Sequence, residues 1–180
     1  MMEMVRQKPI LGFTGKYEFL SNFFPCPVYY QHVWYGSSEA AFQAQKLVDP
    51  EMRKLVFSDL KAKEAKRLGR KVIPRDDWDD IRDAVMWQAL RAKFYFNLSL
   101  VEKLLETGHS ELVETNTWGD KYWGVCGGVG ENRLGRMLMK IRNQYQGIPI
   151  HYGRKLLRSL ATYNIHPNDW RNCYDPTGKR

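Results

Sequence analysis

One stretch of the chain constrains its fold more than any other. From Asp76 to Phe96, the residues Trp78, Ile81, Val85, Ala89, Ala92 and Phe96 recur at steps of three and four, the spacing that lines one face of an α-helix. Asp76, Asp77, Asp79 and Asp80 crowd its start, where the helix dipole favours negative charge. A helix of that length extends about 30 Å, and its apolar stripe must be covered by other elements. The chain has 180 residues, enough for one domain that buries roughly two-thirds of its unfolded surface. Apolar residues at 43% and charged residues at 27% argue against intrinsic disorder over most of it.

Around that helix the other elements fall into place. The first ten residues read as a loose arm. Leu11–Tyr35 is rich in aromatics and broken by Pro25 and Pro27, with short strands expected at Pro27–Tyr30 and His32–Tyr35 in a hairpin or an irregular sheet. Ser37 and Ser38 offer N-caps for a helix over Glu39–Val48, ending before Asp49 and Pro50. A second helix is expected from Pro50 and a third over Leu60–Leu68, with Gly69 as its C-cap. Ser99 and Glu102 form a capping box for a helix over Leu100–Glu106 closed by Gly108. Glu111–Thr115 reads as a strand, and a glycine-rich stretch from Trp118 to Gly130 leads into a helix beginning near Asn132. Leu156, Leu157, Leu160 and Tyr163 suggest one more short helix.

Several classes are excluded early. No apolar run reaches the roughly 20 residues of a membrane span, and the N-terminus has no hydrophobic leader. Cys26, Cys126 and Cys173 are odd in number and far apart, and the four histidines form no HxxxH pair. A structural metal site is therefore not expected, and free buried thiols are. A soluble, cytoplasmic protein without membrane association follows, with no expectation about oligomeric state.

Charge is informative in its distribution. The 28 basic against 20 acidic residues give +8, which suits a polyanionic or phosphorylated partner. Residues 147–180 carry six basic and two acidic side chains, half the surplus. Between Glu51 and Lys71 there are eight basic and three acidic residues.

Four segments carry candidate chemistry. On a helix, Glu39, Gln43 and Lys46 share one face, and Glu39 sits in the first turn. A carboxylate there stabilises a developing cation, activates water, or simply complements the helix end. The run Thr117–Gly135 brings Trp118, Tyr122 and Trp123 together with glycines and Arg133. It is suited to stacking on a base and holding phosphate on backbone amides, or to a plain surface turn. It matches neither the P-loop nor the dinucleotide-binding fingerprint. In Met86–Phe94, Arg91 and Lys93 point either to a ligand or to solvent. In Phe19–Phe24, Asn22 either bonds a base or ribose edge between aromatics or shapes a turn.

Taken together and in this order, these segments resemble the NADAR family, the YbiA-like N-glycosidases. The resemblance rests on Phe19–Phe23, Ser38–Lys46, Met86–Phe94, Leu112–Glu114, Tyr122–Gly124 and Asn132–Gly135. It covers residues 11–146 and leaves 147–180 as a basic extension. It implies a compact α+β domain, predominantly helical with a small β-sheet. It also implies hydrolysis of a ribose–nitrogen bond without a cofactor. Two substrate classes are associated with the family: ADP-ribose on guanine, in nucleotide, DNA or RNA, and phosphoribosylamino intermediates of riboflavin biosynthesis. Where some members have an acidic residue after the Trp-Gly pair, this chain has Val125 and Cys126.

Under that resemblance, Glu39 is the carboxylate facing an oxocarbenium-like sugar. Lys46 orients it or attacks the anomeric carbon to form a Schiff base, and Asp120 is a second, weaker candidate. Asn22, Phe23 and Trp123 hold the base beside Gly124, while Lys93, Arg133 and the amides leading to Asn132 hold phosphate. Two other classes stay open: a non-catalytic nucleotide- or nucleic-acid-binding module, and a partner-binding protein working through its basic tail.

Overall fold

The computed structural model describes residues 7–146. Residues 1–6 of the ten-residue arm, the basic extension and the helix expected around Leu156–Tyr163 lie outside the described residues, whereas Ile10 of that arm begins β1. In chain order come β1 (Ile10–Leu11), a 3-10 helix (Gly15–Leu20), β2 (Val28–Tyr30), β3 (Val33–Tyr35), α1 (Ser38–Ala44), α2 (Pro50–Phe57), α3 (Ala62–Gly69), α4 (Trp78–Phe96), α5 (Leu98–Glu106), β4 (Leu112–Val113), β5 (Thr115–Asn116), β6 (Val125–Cys126) and α6 (Arg133–Tyr145). Helices dominate, and the strands form three two-stranded pairs rather than one sheet. β1 pairs with β4 in parallel, β2 with β3 antiparallel, and β5 with β6 in parallel.

The chain divides into two compact units. One is Asn22–Leu98. Here α1 packs on α2, α3, α4 and the β2–β3 hairpin, and α4 packs on β2. Gln31 and His32, both at positive φ, make the hairpin turn. Every residue of α1 is buried, although seven residues are too few to form a stable helix alone. Ser37 caps it, its Oγ accepting from the Ala40 N–H at 3.1 Å. The helix stops at Ala44, short of the expected Val48. The carbonyls of Leu47 and Val48 instead accept from the Arg53 guanidinium of α2 at 2.7 and 3.1 Å, so the chain turns away to be held from outside.

α3 presents Ala62, Ala65 and Gly69, all buried, at steps of three and four. Gly69 is the last helical residue, not a left-handed cap; the cap position is Arg70, with ordinary right-handed torsions. α4 follows the expected span, but its buried face is broader than the expected stripe. Residues 83–87 are all buried, together with Ala89, Leu90, Lys93 and Phe94, while Phe96 is 38% exposed.

The second unit joins the described residues up to Ser21 with those from Ser99 onward. α6 packs on β4, and the Arg142 guanidinium of α6 donates to Thr107 Oγ1 at 2.7 Å and to the Ser110 carbonyl at 2.9 Å. Near the start of the described chain, Gln7 Oε1 accepts from the His109 N–H at 2.8 Å, and Ile10 is already buried in β1. α5 starts at Leu98, so Ser99 lies inside it and the expected capping box is not its N-terminus. Gly108 closes it at φ +58°.

Candidate active site

Glu39 enters the interior because Ser37 starts α1 immediately before it. It is 4% exposed, its Oε1 accepts from Gln43 Nε2 at 2.8 Å, and its backbone N–H donates to the Asn22 carbonyl at 3.1 Å. Burial raises its pKa above the ordinary carboxylate value. The Gln43 hydrogen bond, the charges of Lys66 and Lys46, and the Asn22 side chain oppose that rise. The Asn22 amide, 7% exposed, donates to Met86 Sδ at 3.3 Å. Asn22 Oδ1 and Gln43 Oε1 are buried without a hydrogen-bond partner, and buried acceptors are seldom left so.

Lys46 lies two residues beyond the end of α1, in a turn pinned at three points. Its N–H donates to the Gln43 carbonyl, its carbonyl accepts from the Arg75 N–H, and its ammonium donates to the Gly69 carbonyl of α3. Its Nζ lies 5.7 Å from the centre of the Trp78 ring. Burial lowers its pKa, and Arg70 adds to that; Glu39 pulls the other way. Gly69 is thus required by proximity rather than by its torsions. A Cβ there would sit 1.9 Å from Gln43 Oε1, so one glycine seats the side chain that holds Glu39 and supplies the carbonyl that holds Lys46.

Lys93 takes a different position. Its side chain is wholly buried, with Nζ 5.5 Å from the Phe24 ring and 5.6 Å from the Phe94 ring. Burial lowers its pKa to about 8, against the pull of neighbouring Cys26. Burial in turn raises the Cys26 thiol. The expected phosphate contact at Lys93 therefore has no exposed ammonium in this conformation.

In the other unit, the glycine-rich segment is built around its own backbone. Asp120 Oδ1 accepts from the N–H groups of Tyr122 and Trp123 at 3.1 and 2.9 Å, as a turn-forming aspartate does. Trp123 stands edge-on to Tyr122 with ring centres 5.0 Å apart. Gly124 is needed where it stands, because a Cβ would lie 2.3 Å from the Glu114 carbonyl. Asn132, at φ +49°, donates from Nδ2 to the Leu112 carbonyl at 2.9 Å and accepts the Glu114 N–H at 3.1 Å. Arg133 pairs with Glu131 at 2.7 Å and covers the Tyr122 ring at 4.2 Å. Val125 and Cys126 form β6. Among the described residues, no three His, Cys, Asp or Glu side chains gather as a metal site, and no helix is long and apolar enough to cross a membrane.

The chain matches the NADAR domain over residues 11–146. It is 38% identical over 149 residues to the N-glycosidase YbiA of Escherichia coli, covering 79% of this chain and 92% of that protein. The chain belongs to the NADAR family. An N-glycosidase of Nostoc punctiforme is 34% identical over 73% of this chain and 88% of its own length. A riboflavin biosynthesis protein of Vibrio vulnificus is 41% identical over 71% of this chain, which spans only 35% of that protein. The solution structure of E. coli YbiA superposes with a TM-score of 0.69 at 31% identity, covering 91% of this chain and 92% of that one. The mixed architecture, helical with small sheets, is that of this NADAR relative.

Within this NADAR chain, the unit Asn22–Leu98 brings Asn22, Glu39 and Lys46 together, with Phe23 joined to them through Lys66. The Lys66 Nζ lies 5.2 Å from the Phe23 ring and acts on the Glu39 charge. Lys93 lies beside Phe24 and Cys26. Asp120, Trp123, Gly124, Asn132 and Arg133 cluster in the other unit. Lys66 and Gly69 were not singled out by sequence. The basic surplus over Glu51–Lys71 pointed to the first, and nothing local pointed to the second.

Proposed function

We propose that this NADAR protein releases ADP-ribose from guanine by hydrolysing the bond between a ribose carbon and a base nitrogen. It is a hydrolase acting on N-glycosyl compounds, the activity for which its relatives are named. One observation carries the mechanism: Glu39, buried and held by Gln43, and Lys46, held by Gly69, are positioned by the same Gln43–Gly69 contact, and burial raises the pKa of the first and lowers that of the second. Shifts of this kind fit a general acid–base and an amine nucleophile. In this reading Lys46, released from the Gly69 carbonyl and neutral after giving its proton to solvent, bonds through its lone pair to the anomeric carbon as the ribose–nitrogen bond breaks. Glu39 supplies the proton that the departing base requires. The ring-opened sugar is held as an iminium until water regenerates the amine and frees ADP-ribose. Direct attack by a water that Glu39 deprotonates is the other route.

The buried, unpartnered Asn22 Oδ1 suits a donor on the base or ribose. Phe23 is our stacking residue in the unit that carries Glu39; in the other unit Trp123, beside Tyr122 and followed by Gly124, is proposed as a substrate contact of its own. Arg133, Asn132 and Lys93 are proposed phosphate or substrate contacts, the last requiring movement of Phe24. Asp120, committed to its turn, acts in positioning Trp123. The net charge of +8 favours a polyanion-borne substrate and the cytosol is the proposed setting. The riboflavin reading has support of its own in the Vibrio vulnificus relative and a riboflavin biosynthesis protein of Arabidopsis thaliana, 42% identical over 74 residues.

The test offers an ADP-ribosylated guanine oligonucleotide and a ribosylaminopyrimidine phosphate in parallel and follows products by mass spectrometry. Free ADP-ribose from the first is expected. Turnover of the second alone transfers the function to riboflavin intermediates. Glu39→Gln should lower turnover by about 10² or more, and a fully active variant overturns its role. Borohydride added during turnover should trap an adduct at Lys46; without one, the water route stands.

A further inference from the structure

We infer that the outer face of α3 is a surface for the phosphate backbone of single-stranded nucleic acid, placed to deliver a modified guanine to Glu39. The inference rests on the proposed reading of the substrate as guanine in a nucleic acid. Lys63, Arg67 and Arg70 are exposed and stand at steps of four and three along α3 and its cap, with Lys71 exposed beside them. From Lys63 to Arg70 is two helical turns, about 11 Å. A stacked strand presents about three phosphates over that distance, at about 3.4 Å each.

Among the described residues, α3 itself supplies little counter-charge. The one acidic residue of α3, Glu64, is bound to the Lys61 N–H at 3.0 Å. None of Lys63, Arg67 and Arg70 joins an ion pair among the described residues. The N-terminal cations of α3 also oppose helix stability, whereas Arg67 and Arg70 stand at the end the dipole favours. Lys61 is the N-cap and Lys63 lies in the first turn, where positive charge meets the positive end of the helix dipole. Cations placed against a local rule point to a partner outside the fold.

The face is continuous with the candidate site. Lys66, between Lys63 and Arg67, reaches inward over Phe23 and acts on Glu39, while Gly69 holds Lys46 and seats Gln43. Exposed cations each contribute little in water. Several phosphates bound together sum their effects through counterion release, so this geometry suits a strand better than a lone diphosphate.

The experiment uses the full chain and the double variant Lys63→Gln/Arg67→Gln, whose glutamines keep good helix propensity. Binding of a labelled, unmodified single-stranded oligonucleotide is followed by fluorescence anisotropy across a salt series. The variant is expected to bind about tenfold more weakly or worse, with a salt slope shallower by about 1.4, at about 0.7 per phosphate contact. The ratio of kcat/KM on the ADP-ribosylated oligonucleotide to that on an ADP-ribosylated guanosine nucleotide should fall similarly. Unchanged affinity and slope overturn the surface even if ADP-ribose is released. Salt-dependent binding that the variant loses, without any release by the parent protein, keeps the surface and removes the proposed function. Equal losses of kcat/KM on both substrates overturn the strand reading, because the cations would then serve the diphosphate.

Discussion

Two glycines show how differently one added methyl group can act. At Gly69 the Cβ would meet the far end of the Gln43 side chain, which can swing aside. Gly69→Ala should therefore fold normally yet lose the Gln43 hydrogen bond that holds down the Glu39 pKa. A fall in kcat of about tenfold to a hundredfold is expected, with the Glu39 limb of the pH–rate profile moved to higher pH. Gln43→Ala should do the same, and the double variant should lose no more than either single one. Additive losses in steady-state kinetics would show that the glycine acts some other way. Glu39 itself sets a stability prediction. Its folded pKa lies above the ordinary 4.5, so the native state keeps a proton that the unfolded chain has lost. That contribution is present below the unfolded value and disappears as pH rises through the folded one. Glu39→Gln stays neutral throughout, so its Tm advantage over the parent should grow from acid to mildly alkaline pH. A pH-independent difference would contradict burial as the cause.

At the scale of elements, the short helices are held by what they touch. Gly135 of α6 faces backbone: a Cβ would lie 2.0 Å from the Leu112 carbonyl, and that atom belongs to β4. Gly135→Ala should cost about 1–3 kcal/mol or more through overpacking, read by urea denaturation, in contrast with Gly69→Ala. Asn132 belongs to the same joint, since its amide spans Leu112 and Glu114. The Asn132–Gly135 motif thus reads as a fitting between α6 and β4. α1 depends on its cap in the same way, and Ser37→Ala should remove about 1 kcal/mol from the unit that carries Glu39. Helix positions were legible because their caps and periods are local. β1 and β6 were not, because a two-residue strand has no period to read; the strand expected over Glu111–Thr115 divides into β4 and β5, and the α5 capping box failed because the helix begins two residues earlier.

For the molecule as a whole, stability carries the mark of Lys93. With a folded pKa of about 8 against an ordinary 10.5, the native state gives up its proton first. Its contribution to global stability is present above 10.5 and lost as pH falls through about 8. Lys93→Met should flatten the pH dependence of global unfolding across that window, measured by denaturant titration at several pH values; an unaltered profile would show that Lys93 titrates normally. The sequence by itself determined the family and the run of helices, and it put Glu39 and Lys46 forward as candidates. Those follow from capping residues, three-and-four spacing and ordered motifs, all written within one or two turns of chain. Tertiary structure alone decided how the other candidates are held. Lys93 is buried between Phe24 and Phe94, Asp120 is bound to the backbone of its own turn, Asn132 spans Leu112 of β4 and Glu114, and Lys66 lies over Phe23. Burial and hydrogen-bond commitment depend on what distant segments bring to a side chain, and no local pattern records that.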